Sequence, residues 1–292
     1  MRVVRTVAEM QAIFRTFHRE GKTIGLVPTM GALHAGHLSL VRSARTQNDA
    51  VIVSIFVNPI QFGPTEDFGK YPRSFEQDCA QLDHEGVDFV FAPTVDEMYP
   101  AGAATFVHVE GLSEKLDGKS RPGHFQGVTT VVSKLFHIVP ADHAYFGQKD
   151  AAQVSVLRKM VRDQNFDIDL VVCPIVREKD GLALSSRNAY LSSTERKQAL
   201  VLHRALLRVQ TLADTGESDA AKLAEAGRQV IAEEPAAKLD YFEIVDRDTL
   251  DPVADIAKGA LVAVAASFGN TRLIDNLVLH GPGSARGPRN SA

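Results

Sequence analysis

Two strand–turn–helix units separated by a β-branched run predict an α/β chain, and a later change to helices followed by strands predicts a second, different domain. Residues 24–45 read as a short apolar run, a small-residue turn holding Gly31 and Gly36, and a resumed helical pattern. Residues 144–153 repeat the design around Gly147. Between them, residues 51–57 are β-branched in the manner of an interior parallel strand. The expected fold is α/β, a Rossmann-like doubly wound parallel sheet over 1–175, then a smaller α+β domain over 176–280 and a disordered tail over 281–292.

The elements follow in order. Thr6 to Glu9 form a capping box, and Met10, Ile13, Phe14 and Phe17 recur at helical spacing until Gly21. The chain is thus expected to open directly into an amphipathic helix. Strands are expected at 23–27, 51–57, 87–91 and 169–172, with a shorter edge strand at 105–109. A helix capped by Ser74 and Gln77 should stop at Gly86. Another carries the stripe Val128, Val131, Val132, Leu135 and Phe136 and ends at Pro140, with His124 at its start either capping the turn or facing a ligand. In the second domain, the box Ser192–Glu195 opens a long helix bearing Leu202, Leu206, Val209 and Leu212. A second helix is expected at 218–233, then strands at 239–245, 261–268 and 273–279.

Composition narrows the function. The 292 residues are 45% apolar and 23% charged with a formal net charge of −4, so no basic footprint favours nucleic acid as a partner. Tryptophan is absent, and the two cysteines, Cys79 and Cys173, form no Cys-x-x-Cys pair that would suggest a metal or disulfide framework. No run approaches the roughly 18 apolar residues of a membrane span, and no signal core opens the chain. A cytoplasmic protein without membrane association is expected.

The chemistry concentrates in turns. His34 and His37 lie three apart at an expected helix N-terminus, whose unpaired N–H groups and partial positive charge suit a polyanion such as a nucleotide triphosphate. The Gly31–Gly36 spacing is that of a P-loop, but His37 and Leu38 stand where Lys and Ser or Thr are required. No third ligand accompanies the two histidines for zinc. The loop from Asn58 to Arg73 follows a parallel strand, where α/β sheets bind ligands, and its Gln61 amide can donate to a carboxylate or accept from a hydroxyl. Lys149 can hold phosphate, and Asp150 suits a ribose hydroxyl or magnesium. Ser185, Ser186 and Arg187 form a group suited to polyphosphate.

Six ordered blocks then carry a resemblance. Pro28-Thr-Met-Gly-Ala-Leu-His34-Ala-Gly-His37 looks like a variant HIGH signature; with it come Phe56-Val-Asn-Pro-Ile-Gln61-Phe, Tyr71-Pro-Arg, Arg121-Pro-Gly-His124-Phe, Phe146-Gly-Gln-Lys149-Asp150 and Leu184-Ser-Ser-Arg187-Asn. Up to about Leu279 the chain resembles the pantothenate synthetase (pantoate–β-alanine ligase) family of the HIGH-motif nucleotidyltransferases. Leu184 stands where many relatives have Met, and Ala152 where many have Gln.

The resemblance implies an ATP-dependent, Mg2+-requiring condensation of (R)-pantoate with β-alanine, through a pantoyl adenylate, giving pantothenate, AMP and diphosphate. It implies catalytic roles for His37, His34, Lys149 and Arg187, with His37 as the family's usual proton donor. The ATP site it implies comprises Met30, Gly31, Ala32, Leu33, His34, Ala35, Gly36 and His37, then Gly147, Gln148, Lys149 and Asp150, and finally Val176, Leu184, Ser185, Ser186 and Arg187. Gln61 and Gln153 would hold pantoate, with Gln61 also reaching β-alanine; Mg2+ would be bound mainly through ATP phosphates, with no protein ligand assigned. A homodimer is implied as well. Residues 61–73 are the expected lid over the reactive anhydride. Competing readings are another HIGH-type adenylating enzyme, which the acidic balance opposes where tRNA is the substrate, and a non-catalytic nucleotide binder, which would be expected to lack His37, Lys149 or Arg187.

Overall fold

The computed structural model describes residues 1–64 and 66–281. The tail expected to be disordered at 281–292 lies, from residue 282 on, outside the described residues. The chain divides into two compact units: Met1–Val176 joined by Leu184–Ser186, and Arg177–Ala183 joined by the chain from Arg187 onward.

The first unit runs β1 (Arg2–Val4), α1 (Val7–Arg19), β2 (Ile24–Thr29), α2 (Ala35–Gln47), β3 (Ala50–Ile55), α3 (Phe75–His84), β4 (Phe89–Phe91), two short helices α4 (Val95–Met98) and α5 (Asp117–Ser120), α6 (His124–Ile138), β5 (His143–Gly147), α7 (Ala151–Asp163) and β6 (Asp169–Cys173). Its six strands pair in the order β1-β4-β3-β2-β5-β6, all parallel. From β2 the chain steps outward through β3 and β4, then returns to place β5 on the other side. The switch in direction therefore lies between β2 and β5, where open α/β sheets form a crevice at the strands' carboxyl ends.

The apolar run at 51–53 is continuous because this strand is covered on both faces. Val51, Ile52 and Val53 are wholly buried, each contributing about 1.5–3 kcal/mol of transfer free energy. Val51 and Val53 pack with Leu40, Val41 and Ala44 of α2 and Leu82 of α3.

Three expectations are corrected. Residues 2–4 form edge strand β1, paired with Phe89–Phe91, so the chain does not open directly into its helix. Residues 105–109 are no strand: Val107 spends its N–H and C=O on the side chains of Thr130 (3.0 Å) and Thr129 (2.6 Å). Ser74 makes no capping bond to α3, since its hydroxyl donates to Asp78 instead.

The second unit contains α8 (Ser193–Gln198), α9 (Val201–Asp214), α10 (Ala220–Ala232), and β7 (Ala237–Val245), β8 (Ala260–Phe268) and β9 (Thr271–Leu279). The strands form an antiparallel sheet in sequence order. The long helix expected from Ser192 is two: at Ala199 and Leu200 the chain tightens, with Leu200 and Leu202 donating to carbonyls three residues back. Leu202, Leu206 and Val209 pack with Phe242, Val262 and Val264 in one core. Among the described residues no helix is long and apolar enough to cross a membrane.

Candidate active site

The turn after β2 is held by a residue far away in sequence. Gly31 (φ +80°) and Ala32 (φ +50°) both adopt left-handed backbone, which costs a residue with a Cβ about 1–2 kcal/mol. Asp78 offsets that cost. One carboxylate oxygen accepts from Ala32 N and the other from Leu33 N, each at 2.9 Å, while Ser74 Oγ donates to it at 3.1 Å. Asp78 is 1% exposed. No motif marks this residue: it sits within a helix, and its partners lie 45 and 46 positions earlier. Thr29 Oγ1 completes the support, donating to Ser54 O at 2.7 Å and accepting from Gly31 N at 3.2 Å.

His34 and His37 cap α2 reciprocally. His34 Nδ1 accepts from Gly36 N at 3.1 Å, and His37 Nδ1 accepts from His34 N at 3.3 Å. The rings lie 4.1 Å apart. A nitrogen that accepts a backbone N–H carries no proton, so each neutral ring holds its hydrogen on Nε2. Burial, aided by the Lys149 charge, lowers the His34 pKa to about 4, with Asp150 pulling the other way. Burial, then His34, brings His37 down to about 3; Asp150 opposes the shift and Lys149 adds to it. Both imidazoles are neutral near pH 7.

These depressions fix a stability profile. The unfolded imidazole takes up its proton near pH 6.5 and the folded one only near 3 or 4, so the unfolded state binds more protons in between. Stability is expected to be full above about pH 6.5 and to fall as pH drops below it. His37→Gln removes one titrating group and should flatten this loss, measured as the urea midpoint between about pH 7 and 5; an unchanged slope would show that His37 does not contribute.

The second turn closes β5 at Gly147 and passes through Gln148, Lys149 and Asp150 as a single 3-10 turn into α7. Lys149 Nζ lies 3.2 Å from Asp150 Oδ1, and both charges reach the two imidazoles. A cavity of about 150 Å³ opens here. Its polar boundary includes His37, Ser54, Asn58, Gln61, Tyr71, Asp150 and Gln153; its apolar wall is Val128, Val131, Val132 and Leu135 of α6 with Phe56 and Phe146. Gln61 and Gln153, 92 positions apart in the sequence, thus line one space.

The remaining candidates are distributed differently. Met30 lines the cavity. Leu184 N donates to Val176 O at 3.0 Å, and Ser186 Oγ lies 3.4 Å from Tyr71 OH, all within the first unit. Arg187 belongs to the second unit, within the 3-10 turn Ser186–Tyr190. His124 caps no turn through its side chain: its Nδ1 meets Gln61 O at 2.8 Å and its Nε2 meets Arg121 Nη1 at 2.9 Å. In the expected lid, Glu66 holds Arg121 through two 2.7 Å bonds. Burial pushes the Glu66 carboxyl up, but Arg121 outweighs it and brings it to about 2.

Known proteins share this arrangement of chain. The pantothenate synthetase of Koribacter versatilis (strain Ellin345) is 82% identical over 291 residues, spanning 100% of both chains. The crystal structure of the Thermus thermophilus pantothenate synthetase superposes with a TM-score of 0.91 at 51% identity, covering 95% of this chain and 99% of that one. That of the Francisella tularensis pantoate-beta-alanine ligase, complexed with beta-gamma ATP and beta-alanine, gives 0.78 at 34% identity, covering 95% and 97%. The family model described as pantoate-beta-alanine ligase matches residues 2–278, and the chain belongs to that family.

Proposed function

We propose that this chain joins pantoate to β-alanine to form pantothenate, cleaving ATP to AMP and diphosphate, and that it works through a pantoyl adenylate made at the cavity. The observation that carries this reading is the cavity's division. Apolar residues of α6 line one space together with Gln61 and Gln153, and His37 and Asp150 line it as well. Pantoate is divided in the same way, with two methyl groups on one carbon beside hydroxyls and a carboxylate.

In the first step a carboxylate oxygen of pantoate attacks the α-phosphorus, and the bond to the bridging oxygen breaks, releasing diphosphate. The amine of β-alanine then attacks the acyl carbon, AMP leaves, and the amine gives up a proton. Neither step needs an enzyme nucleophile, so positioning and electrostatics supply the catalysis. Lys149 brings a positive charge, and the neutral imidazoles of His34 and His37 bring Nε2–H donors to the phosphates. A ring with a pKa near 3 before ATP arrives is a hydrogen-bond donor, and becomes an acid only as phosphate charge raises that value. Val176, Leu184, Ser185 and Ser186 complete the ATP contacts in this reading, and Arg187 is retained for the match of guanidinium to polyphosphate.

Magnesium neutralises phosphate charge and holds the phosphates in reactive geometry when bound with ATP. The donor set fits such an ion: Asp150 supplies one carboxylate at the cavity, and magnesium takes one or two carboxylates plus substrate phosphates. Among the described residues no cluster of three or more His, Cys, Asp or Glu is placed to cage a metal alone. A cytoplasmic homodimer belongs to the same reading on family resemblance.

Pantoate labelled with 18O in its carboxylate tests the intermediate. One labelled oxygen is expected in AMP, because the attacking oxygen stays on phosphorus when the amide forms. Unlabelled AMP would exclude the adenylate.

A further inference from the structure

Gln61 has an amide that can be turned by 180° without changing shape, so what it offers to a substrate is decided by its neighbours. Asn58 provides the deciding contact, and Asn58 is itself fixed. Its Nδ2 lies 3.0 Å from Gly127 O and 3.0 Å from Gln61 Oε1, and its Oδ1 lies 2.9 Å from Tyr99 OH. A backbone carbonyl only accepts, so the Asn58 atom facing Gly127 must be the nitrogen. The second hydrogen of that nitrogen then points at Gln61, which must answer with oxygen. The other end of the Gln61 amide, Nε2, is left beside Met30 Sδ at 3.0 Å, a thioether that accepts only weakly.

We propose that Gly127, Asn58 and Tyr99 form a relay that locks Gln61 with its Oε1 on Asn58 and its N–H2 group on the Met30 side of the cavity, so that Gln61 meets substrate as a hydrogen-bond donor to oxygen lone pairs. The proposal rests on the reading of the cavity as the pantoate site. It narrows the sequence expectation that the amide donates or accepts. Pantoate must meet Gln61 through its carboxylate or a hydroxyl lone pair, and β-alanine through its carboxylate, never through its ammonium. That leaves the amine of β-alanine for the acyl carbon.

The rest of the local structure supports the lock. A Cβ at Gly127 would lie 2.4 Å from Ile60 O and 2.5 Å from Gln61 Cα, so only glycine lets the backbone of α6 come close enough to present its carbonyl to Asn58. His124 Nδ1 meets Gln61 O at 2.8 Å, and Arg121 donates to the far nitrogen of that ring at 2.9 Å. This fixes the Gln61 main chain while the relay fixes its side chain. Burial, then the Arg121 charge, holds His124 at about 4, and burial raises the Tyr99 hydroxyl, so both groups keep these roles at neutral pH. Asn58 is 1% exposed, and water does not offer its oxygen an easy replacement for Tyr99.

Tyr99 and Asn58 are positioning residues here, and three measurements on the full-length protein test them. With 15N-labelled glutamine and 13C-methyl methionine, the Gln61 side-chain protons should show a nuclear Overhauser contact to the Met30 methyl. Gln61→Glu keeps the shape but replaces the inward nitrogen with oxygen, and should raise the pantoate KM about 30-fold or more with the ATP KM changed by less than about threefold. Tyr99→Phe should raise the pantoate KM by roughly three- to tenfold with the ATP KM little changed and the melting temperature lowered by no more than about a few degrees. Gln61 protons that contact Asn58 and not the Met30 methyl would overturn the relay, as would a Tyr99→Phe enzyme that keeps the wild-type pantoate KM while Gln61→Glu raises it. If the methyl contact is present but neither variant moves the pantoate KM, the orientation is upheld and the pantoate cavity assignment fails.

Discussion

His37→Ala is expected to lower the single-turnover rate of adenylate formation by roughly two to four orders of magnitude, the range of a lost acid or oxyanion-type donor. The fold should survive. His37 Nδ1 makes one capping bond, to His34 N, and a lost cap costs about 1 kcal/mol. Removing a buried ring that resists protonation also relieves the acid-side instability it causes. Rapid-quench measurement of AMP-forming turnover beside a melting curve separates the two effects. A variant that turned over near the wild-type rate would take His37 out of the chemistry.

Asp78→Ala should act on the same site from behind. Its carboxylate accepts the Ala32 and Leu33 N–H groups and the Ser74 hydroxyl, and hydrogen bonds to a charged acceptor contribute about 1.5–3 kcal/mol each. Two backbone donors, one of them buried, would lose their partner while Ala32 remained in a left-handed conformation. The expected result is a lower melting temperature together with a rise in ATP KM of about tenfold or more. Asp78→Asn is the sharper test. Asparagine has the same shape but offers one oxygen where two N–H groups require two, so it should behave nearly as badly as alanine. A wild-type melting temperature for Asp78→Asn would show that the carboxylate does not hold the turn.

How far the sequence reveals this molecule depends on where the determining partners lie. Strands and helices of the sheet are legible because their causes are local: a β-branched run at 51–53, a cap at Thr6, a stripe at Val128, Val131 and Leu135. The strand at Arg2–Val4 is not, since three residues carry no period and its existence depends on Phe89–Phe91. Residues 105–109 have strand composition, yet two threonine side chains of α6 take the hydrogen bonds that a neighbouring strand would need. At the site, the turn residues stand out as motifs, whereas Asp78 and Tyr99 do not. Each acts through bonds spanning 41 to 46 positions, and nothing in the neighbouring residues of either announces it.

The paired histidine caps have a consequence for how α2 presents its positive end. A bare helix N-terminus offers backbone N–H groups directly, but here Gly36 N and His34 N are already taken by the two Nδ1 atoms, and His37 N by His34 O. Each imidazole accepts on one side and carries a hydrogen on the other, and so acts as an adaptor that repeats the donor one ring's width farther out. The helix dipole is thereby delivered through side chains that can change protonation, which fixed backbone amides cannot do. In the proposed reading, an arriving phosphate would meet a polarity that adjusts as its charge redistributes.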